Sequence, residues 1–135
     1  MDLDLRGRHA LVCGASEGIG RAAAHELALL GADVTVLSRR AEVLEAVARD
    51  LPADKGQRHG FVAADVSAHD TLRAKVQALV AGKPVHVLVN NTGGPPGGPA
   101  HTAEASAYLD AFQRHLLANH LLVQAVLPGM RTDAW

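Results

Sequence analysis

The sequence predicts a doubly wound α/β domain built on a parallel sheet, and three observations carry that expectation. Short apolar runs alternate with segments of helical spacing along the whole chain. The apolar runs are continuous rather than alternating, as in strands covered on both faces. Glycines gather after the first and fourth runs, where such a sheet leaves a crevice. A length of 135 residues with 48% hydrophobic content fits one compact domain, 1–135.

Taken in order, residues 9–13 (His-Ala-Leu-Val-Cys) form the first strand and end at Gly14. Residues 19–30, rich in Ala and Leu, make the first helix, which Gly31 closes. The β-branched run 32–37 is the second strand, and Ser38-Arg39-Arg40 leads out of it. Helical spacing of Val43, Leu44 and Val47 marks a second helix over 41–50. Leu51-Pro52 stops it, because the residue before a proline is pushed out of the helical region. Residues 61–64 are the third strand, Asp65-Val66-Ser67 the turn, and 71–80 the third helix, with Leu72, Val76 and Leu79 on one face. Gly82 and Pro84 punctuate it; 85–89 is the fourth strand and 90–101 a Gly/Pro-rich loop. A long helix then runs from about Thr102 towards Pro128. The pattern is βαβαβαβα, and right-handed crossovers give the strand order 3-2-1-4. Strands 1 and 4 then flank the ligand crevice at their C-terminal ends.

Composition removes several function classes. Thirteen Lys and Arg against fourteen Asp and Glu give a net charge of -1, with no basic field for nucleic acid or an anionic membrane. No run of apolar residues is long enough to span a bilayer. Cys13 is the sole cysteine, which excludes an intramolecular disulfide and a multi-cysteine metal site. With the acidic start at Met1-Asp2-Leu3-Asp4, unlike a signal peptide, this favours the cytoplasm. The eight histidines are scattered, and His115 and His120 point about 140° apart on a helix, so no metal site is expected.

The most informative segment is Gly14-Ala15-Ser16-Glu17-Gly18-Ile19-Gly20, lying between a strand and a helix. Glycines there permit a tight turn, close backbone approach to a pyrophosphate, and close packing of helix on strand. The helix start offers free N–H groups to an anion. Its Gly-x-x-x-Gly-x-Gly spacing is one residue longer in the first interval than the common Rossmann fingerprint, and no Gly-Lys-Ser/Thr follows, which excludes a nucleotide-hydrolysing phosphate loop. After strand 2 there is no acid to bind a ribose 2′-hydroxyl; Ser38-Arg39-Arg40 offers a hydroxyl and two guanidiniums, as a 2′-phosphate would require.

On the Gly14–Gly20 spacing, Asp65-Val66 after strand 3 and Asn90-Asn91-Thr92-Gly93 after strand 4, the chain resembles the N-terminal half of the short-chain dehydrogenase/reductase family from about Leu5 to Trp135. Thr92 stands where the family's Asn-Asn-Ala-Gly motif has alanine. The resemblance implies a Rossmann-type doubly wound sheet and a nicotinamide dinucleotide, NADP in preference to NAD. It implies that Gly14, Ser16, Gly18, Ile19 and Gly20 surround the pyrophosphate, and that Ser38, Arg39 and Arg40 take the 2′-phosphate end. It assigns Asp65 and Val66 to the adenine, and Asn91 and Gly93 to the ribose and nicotinamide side. Glu17 runs against the NADP assignment, since NADP-preferring members often carry a basic residue there.

The family's catalytic set is a Ser, a Tyr-x-x-x-Lys pair and an Asn on helix 4. The only tyrosine, Tyr108, has Phe112 four residues on and reads as a packing residue. Counting back from Pro128 puts His115 at the Asn position, with Asn119 one turn later on the same face. His115 could hold a water as the Asn does; a partly buried, satisfied histidine is the preferred reading, so no catalytic residue is assigned. The expectation is a truncated domain, lacking the family's second half, that binds dinucleotide weakly at best and reduces no carbonyl alone. Without a fifth strand, strand 4 is expected to be a long apolar edge. Helix 4, apolar on more than one face, contributes to oligomer interfaces in relatives, which suggests a homo-oligomer or pairing with a full-length relative. The alternative from another class is therefore a non-catalytic nucleotide-binding or oligomerisation module. A Rossmann-type methyltransferase fits less well, because the acid expected after strand 2 is missing.

Overall fold

A computed structural model of the chain describes residues 3–94 and 96–135; Met1 and Asp2 of the acidic start and Pro95 of the loop lie outside the described residues. Four parallel strands, β1 (His9–Cys13), β2 (Asp33–Ser38), β3 (Gly60–Ala63) and β4 (Val87–Val89), pair in the order β3-β2-β1-β4. The helices α1 (Gly18–Leu29), α2 (Ala41–Asp50) and α3 (His69–Gly82) follow β1, β2 and β3. Beyond β4 come a 3₁₀ turn (Ala100–Thr102), α4 (Ala105–Ala111), a π-helical segment (Phe112–Leu117) and α5 (Ala118–Thr132).

The sheet separates two apolar layers. Ala10, Val12, Val34 and Val36 point to one face and pack with Ala24 and Ala28 of α1 and Leu44 and Val47 of α2. Leu11, Cys13 and Leu37 point to the other and meet Leu72 and Val76 of α3 and Leu122 and Val126 of α5. This two-sided cover is why the strands read as continuous apolar runs. Burial pushes the Cys13 thiol up to about 12, so it behaves as an inert core side chain.

Several expected boundaries are corrected. β4 is an apolar edge strand as expected but a short one, three half-buried residues, with Val85 buried ahead of it and the His86 N–H donating to the His9 carbonyl. The long C-terminal helix starts later, is interrupted by the π segment, and passes through Pro128 to Thr132 instead of stopping there. The Pro128 carbonyl still finds a partner in the Thr132 hydroxyl, and the Gly129 carbonyl in the Asp133 N–H. Tyr108 is no packing residue: it is 57% exposed, and its hydroxyl donates to the Ala100 carbonyl.

Imidazoles stitch the N-terminal edge of the sheet. The His9 N–H donates to Nδ1 of His86 at 3.0 Å, and the Val34 N–H to Nδ1 of His59 at 3.1 Å. With Nδ1 accepting, each ring carries its proton on Nε2, which donates to Asp133 Oδ2 from His86 and to the Pro52 carbonyl from His59. The buried His9 ring donates from Nδ1 to the Pro84 carbonyl and accepts from the Thr35 hydroxyl at 2.8 Å. Nearby, Lys83 pairs with Asp33.

At the opposite end, three segments meet without room for a side chain. A Cβ on Gly14 would collide with the Asn91 carbonyl, and one on Gly20 with the Gly14 carbonyl and the Asn91 amide. Gly14 also needs φ of +61°, which an L side chain resists.

Two measurements follow. Burial lowers the His9 pKa below its ordinary 6.5, so on acidification the unfolded chain takes up that proton first; His9's share of stability is complete above about pH 6.5 and declines as pH falls below it. Urea midpoints at pH 7.5 and 5.5 should therefore differ less in His9→Gln than in the parent. Gly20→Ala should lower the unfolding free energy by at least about 1–3 kcal/mol, read from urea melts, because the contact it forces is with backbone.

Candidate functional site: a crevice at the strand C-termini

The turns leaving all four strands open into one crevice of about 920 Å³, within the range of small-molecule sites. Its position, where the strand order reverses between β1 and β4, is the topological switch point of such sheets.

From the β1 turn, Gly14, Ser16, Glu17, Gly18 and Ile19 line it. Gly18 turns at φ of +58° with open space where its Cβ would be, and Ile19 is 82% exposed at the mouth. Glu17 stands at the α1 N-cap but makes no side-chain cap, so the first-turn N–H groups are left for an anion. Gly20, expected among the cofactor contacts, does not line the crevice; it lies buried behind Gly14, where its missing side chain lets α1 pack.

From β2 come Ser38, Arg39 and Arg40. Arg40 lies 3.7 Å from Glu17 across the crevice mouth, a largely exposed pair worth little. Arg39 makes no ion pair among the described residues, so its guanidinium is open to an anionic ligand. From the β3 turn, Asp65 and Val66 line the wall. Asp65 Oδ1 accepts from the Ser67 N–H and hydroxyl, which hold its carboxyl below the usual range, with Arg114 and Arg39 contributing more weakly.

The β4 loop supplies Asn91, Thr92, Gly93 and Gly94. The Asn91 side-chain amide turns to the Cys13 and Gly14 carbonyls at 3.4 Å each, so this residue ties the β4 loop to the β1 turn. His115, at the expected Asn position, is not part of the lining. It is only half satisfied: Nδ1 bonds the Thr92 hydroxyl at 2.8 Å, while Nε2 is buried without a partner, as is Asn119 Oδ1.

Arg114 lines the crevice and was not legible as a site residue. It pairs with Asp110, four residues earlier on the helix, at 2.9 Å. Among the described residues, no three of His, Cys, Asp or Glu converge as a metal site. Also among them, no helix is long and apolar enough to cross a membrane.

The crevice can thus hold an anionic, elongated ligand: an uncapped helix start at its centre, guanidiniums at one rim, and glycine backbone at the other. A dinucleotide has that shape and charge distribution, and the residues present fit it.

Comparison with known proteins bears on the same point. A family model described as short chain dehydrogenase matches residues 8–135. The chain is 35% identical over 126 residues to the inactive hydroxysteroid dehydrogenase-like protein 1 of Pongo abelii, covering 92% of this chain and 38% of that protein. It is 34% identical to the human dehydrogenase/reductase SDR family member 13, covering 97% and 34%. Among solved structures, L-sorbose reductase from Gluconobacter frateurii, complexed with NADPH and L-sorbose, superposes with a TM-score of 0.89 at 29% identity, over 98% of this chain and 51% of that one. A metagenomic short-chain oxidoreductase in complex with NADP gives 0.84 at 37% identity, over 96% and 59%. The chain therefore spans about half the length of these structures and little over a third of the curated relatives. With the strand order, the crevice and the family match in agreement, the chain belongs to the short-chain dehydrogenase/reductase family.

Proposed function

We propose that the crevice binds NADP(H), and that the protein is an NADP-dependent oxidoreductase moving hydride between this cofactor and a carbonyl or alcohol. The observation that carries the cofactor choice is Arg39, a guanidinium on the crevice wall with no ion pair among the described residues, next to the small hydroxyl of Ser38 and without a carboxylate at the β2 end. Relatives solved with NADPH or NADP support the same choice.

NADPH supplies the hydride when bound; the residues described here bind and orient it. Gly14, Ser16, Gly18 and Ile19 would receive the pyrophosphate against the α1 start, with Gly20 letting that helix approach. Arg39, backed by Ser38 and Arg40, would meet the 2′-phosphate. Asp65 and Val66 would flank the adenine, and the Asn91–Gly93 backbone the nicotinamide side. Carbonyl reduction also needs a general acid over the substrate oxygen. Tyr108 does not serve, since it lies outside the crevice lining with its hydroxyl on the Ala100 carbonyl. No Tyr-x-x-x-Lys occurs within these 135 residues.

A second reading, a non-catalytic dinucleotide-binding or pairing module, draws on the exposed apolar side chains of Leu109, Phe112, Leu116, Val123 and Leu127 along the C-terminal helices. That three curated relatives are named inactive is in keeping with it.

Fluorescence titration of the 135-residue chain should give tighter binding of NADPH than of NADH. Arg39→Ala should weaken NADPH about 10- to 100-fold, the scale of a charge-assisted contact, and leave NADH nearly unchanged. Equal losses for both dinucleotides would remove the 2′-phosphate assignment. The same chain should show no NADPH oxidation with a panel of aldehydes and ketones, and measurable turnover would mean that an acid is present after all.

A further inference from the structure

Two departures from the family pattern, Thr92 in place of alanine and His115 in place of asparagine, touch each other: the Thr92 hydroxyl and His115 Nδ1 are 2.8 Å apart. Thr92 sits in the glycine-rich stretch after β4, with Gly93, Gly94, Gly97 and Gly98 close behind it, and a Cβ on any of these would meet nothing. Such a backbone has little steric reason to keep one conformation. Its described side-chain ties on the crevice side are the 3.4 Å contacts of Asn91 and the shorter bond from Thr92.

The partner element is also held by polar contacts rather than by packing. Within Phe112–Leu117 no side chain is buried, and Phe112 and Leu116 are half-exposed or more. The segment is tied by His69 Nε2 on the Gln113 carbonyl at 3.0 Å, by Arg114 on Asp110, and by His115 on Thr92. The imidazole joins this π turn to the loop whose residues Asn91, Thr92, Gly93 and Gly94 form one wall of the crevice.

We infer that His115 is a positioning residue for the dinucleotide site, acting through Thr92 to fix the loop after β4 against the crevice. The inference rests on the NADP(H) reading above. The imidazole does not touch the ligand; it reduces the freedom that loop residues 91–94 would otherwise lose on binding, so the tie appears as affinity. The asparagine side chain presents its amide where histidine presents Nδ1, so His115→Asn can retain the bond, whereas His115→Leu and Thr92→Val cannot.

The test measures NADPH and NADH affinities of the parent chain and of Thr92→Val, His115→Leu, the double variant, Thr92→Ser and His115→Asn, together with amide exchange. Thr92→Val and His115→Leu should each weaken both dinucleotides about three- to ten-fold, the scale of one neutral hydrogen bond. The double variant should be no weaker than either single one. Thr92→Ser and His115→Asn should bind like the parent. The Gly93 and Gly94 amides should exchange faster in the two disrupting variants, while the Leu122 amide, deep in α5 packing, stays protected and reports an intact fold. Unchanged affinities, or losses that multiply in the double variant, overturn the inference while leaving the dinucleotide reading in place. If the parent binds neither dinucleotide, the functional reading fails, and unchanged Gly93 and Gly94 exchange would then overturn the tie as well.

Discussion

The site depends on one steric constraint: the backbone of the β1 turn, the first turn of α1 and the start of the β4 loop lie in direct contact. Gly14 and Gly20 leave no space for a Cβ between them and Asn91. Because α1 can come so close, its uncapped start reaches the crevice beside β4, and the Asn91 amide reaches the Cys13 and Gly14 carbonyls. A bulkier residue at either glycine would separate the helix from the loop and open the place where an anion meets unpaired N–H groups. The motif is thus a packing requirement as much as a binding one, and Gly20 serves only the former.

The two ends of the sheet are built by opposite means. At the crevice, function needs backbone with few side chains, so glycine dominates and the walls are tied by single polar contacts such as Thr92 to His115. At the N-terminal edge, the N–H groups of His9 in β1 and Val34 in β2 turn to side chains, and His86 and His59 accept them. Buried donors of this kind are costly to leave unpaired, which accounts for histidines that form no metal site. They secure the floor of the domain, and the ligand end is left adaptable.

The α/β alternation, the strand order and most crevice residues were legible because each rests on local signals: continuous apolar runs, glycine spacing, and Ser38-Arg39-Arg40 at a strand end. What failed was not local. Tyr108 read as a packing residue from its helical position, yet it is more than half exposed. Helix 4 read as one long helix, but a π segment interrupts it, bonded to His69 and Thr92, far away in sequence. β4 is shorter than its apolar run, and ahead of it His86 exchanges bonds with the His9 backbone through both its N–H and its ring.

By itself, then, the sequence determined the architecture, the family and the location of a dinucleotide-type crevice, since periodicity, turn chemistry and motif spacing are properties of neighbouring residues. Only the tertiary structure decided which side chains share that crevice. It added Arg114, withdrew Gly20 from the lining, turned the Asn91 amide inward and paired Thr92 with His115. The physical reason is that these outcomes depend on the distance between elements and the direction of each helix turn, which are set by how α1, α3 and the C-terminal helices pack on the sheet and not by any local stretch of chain.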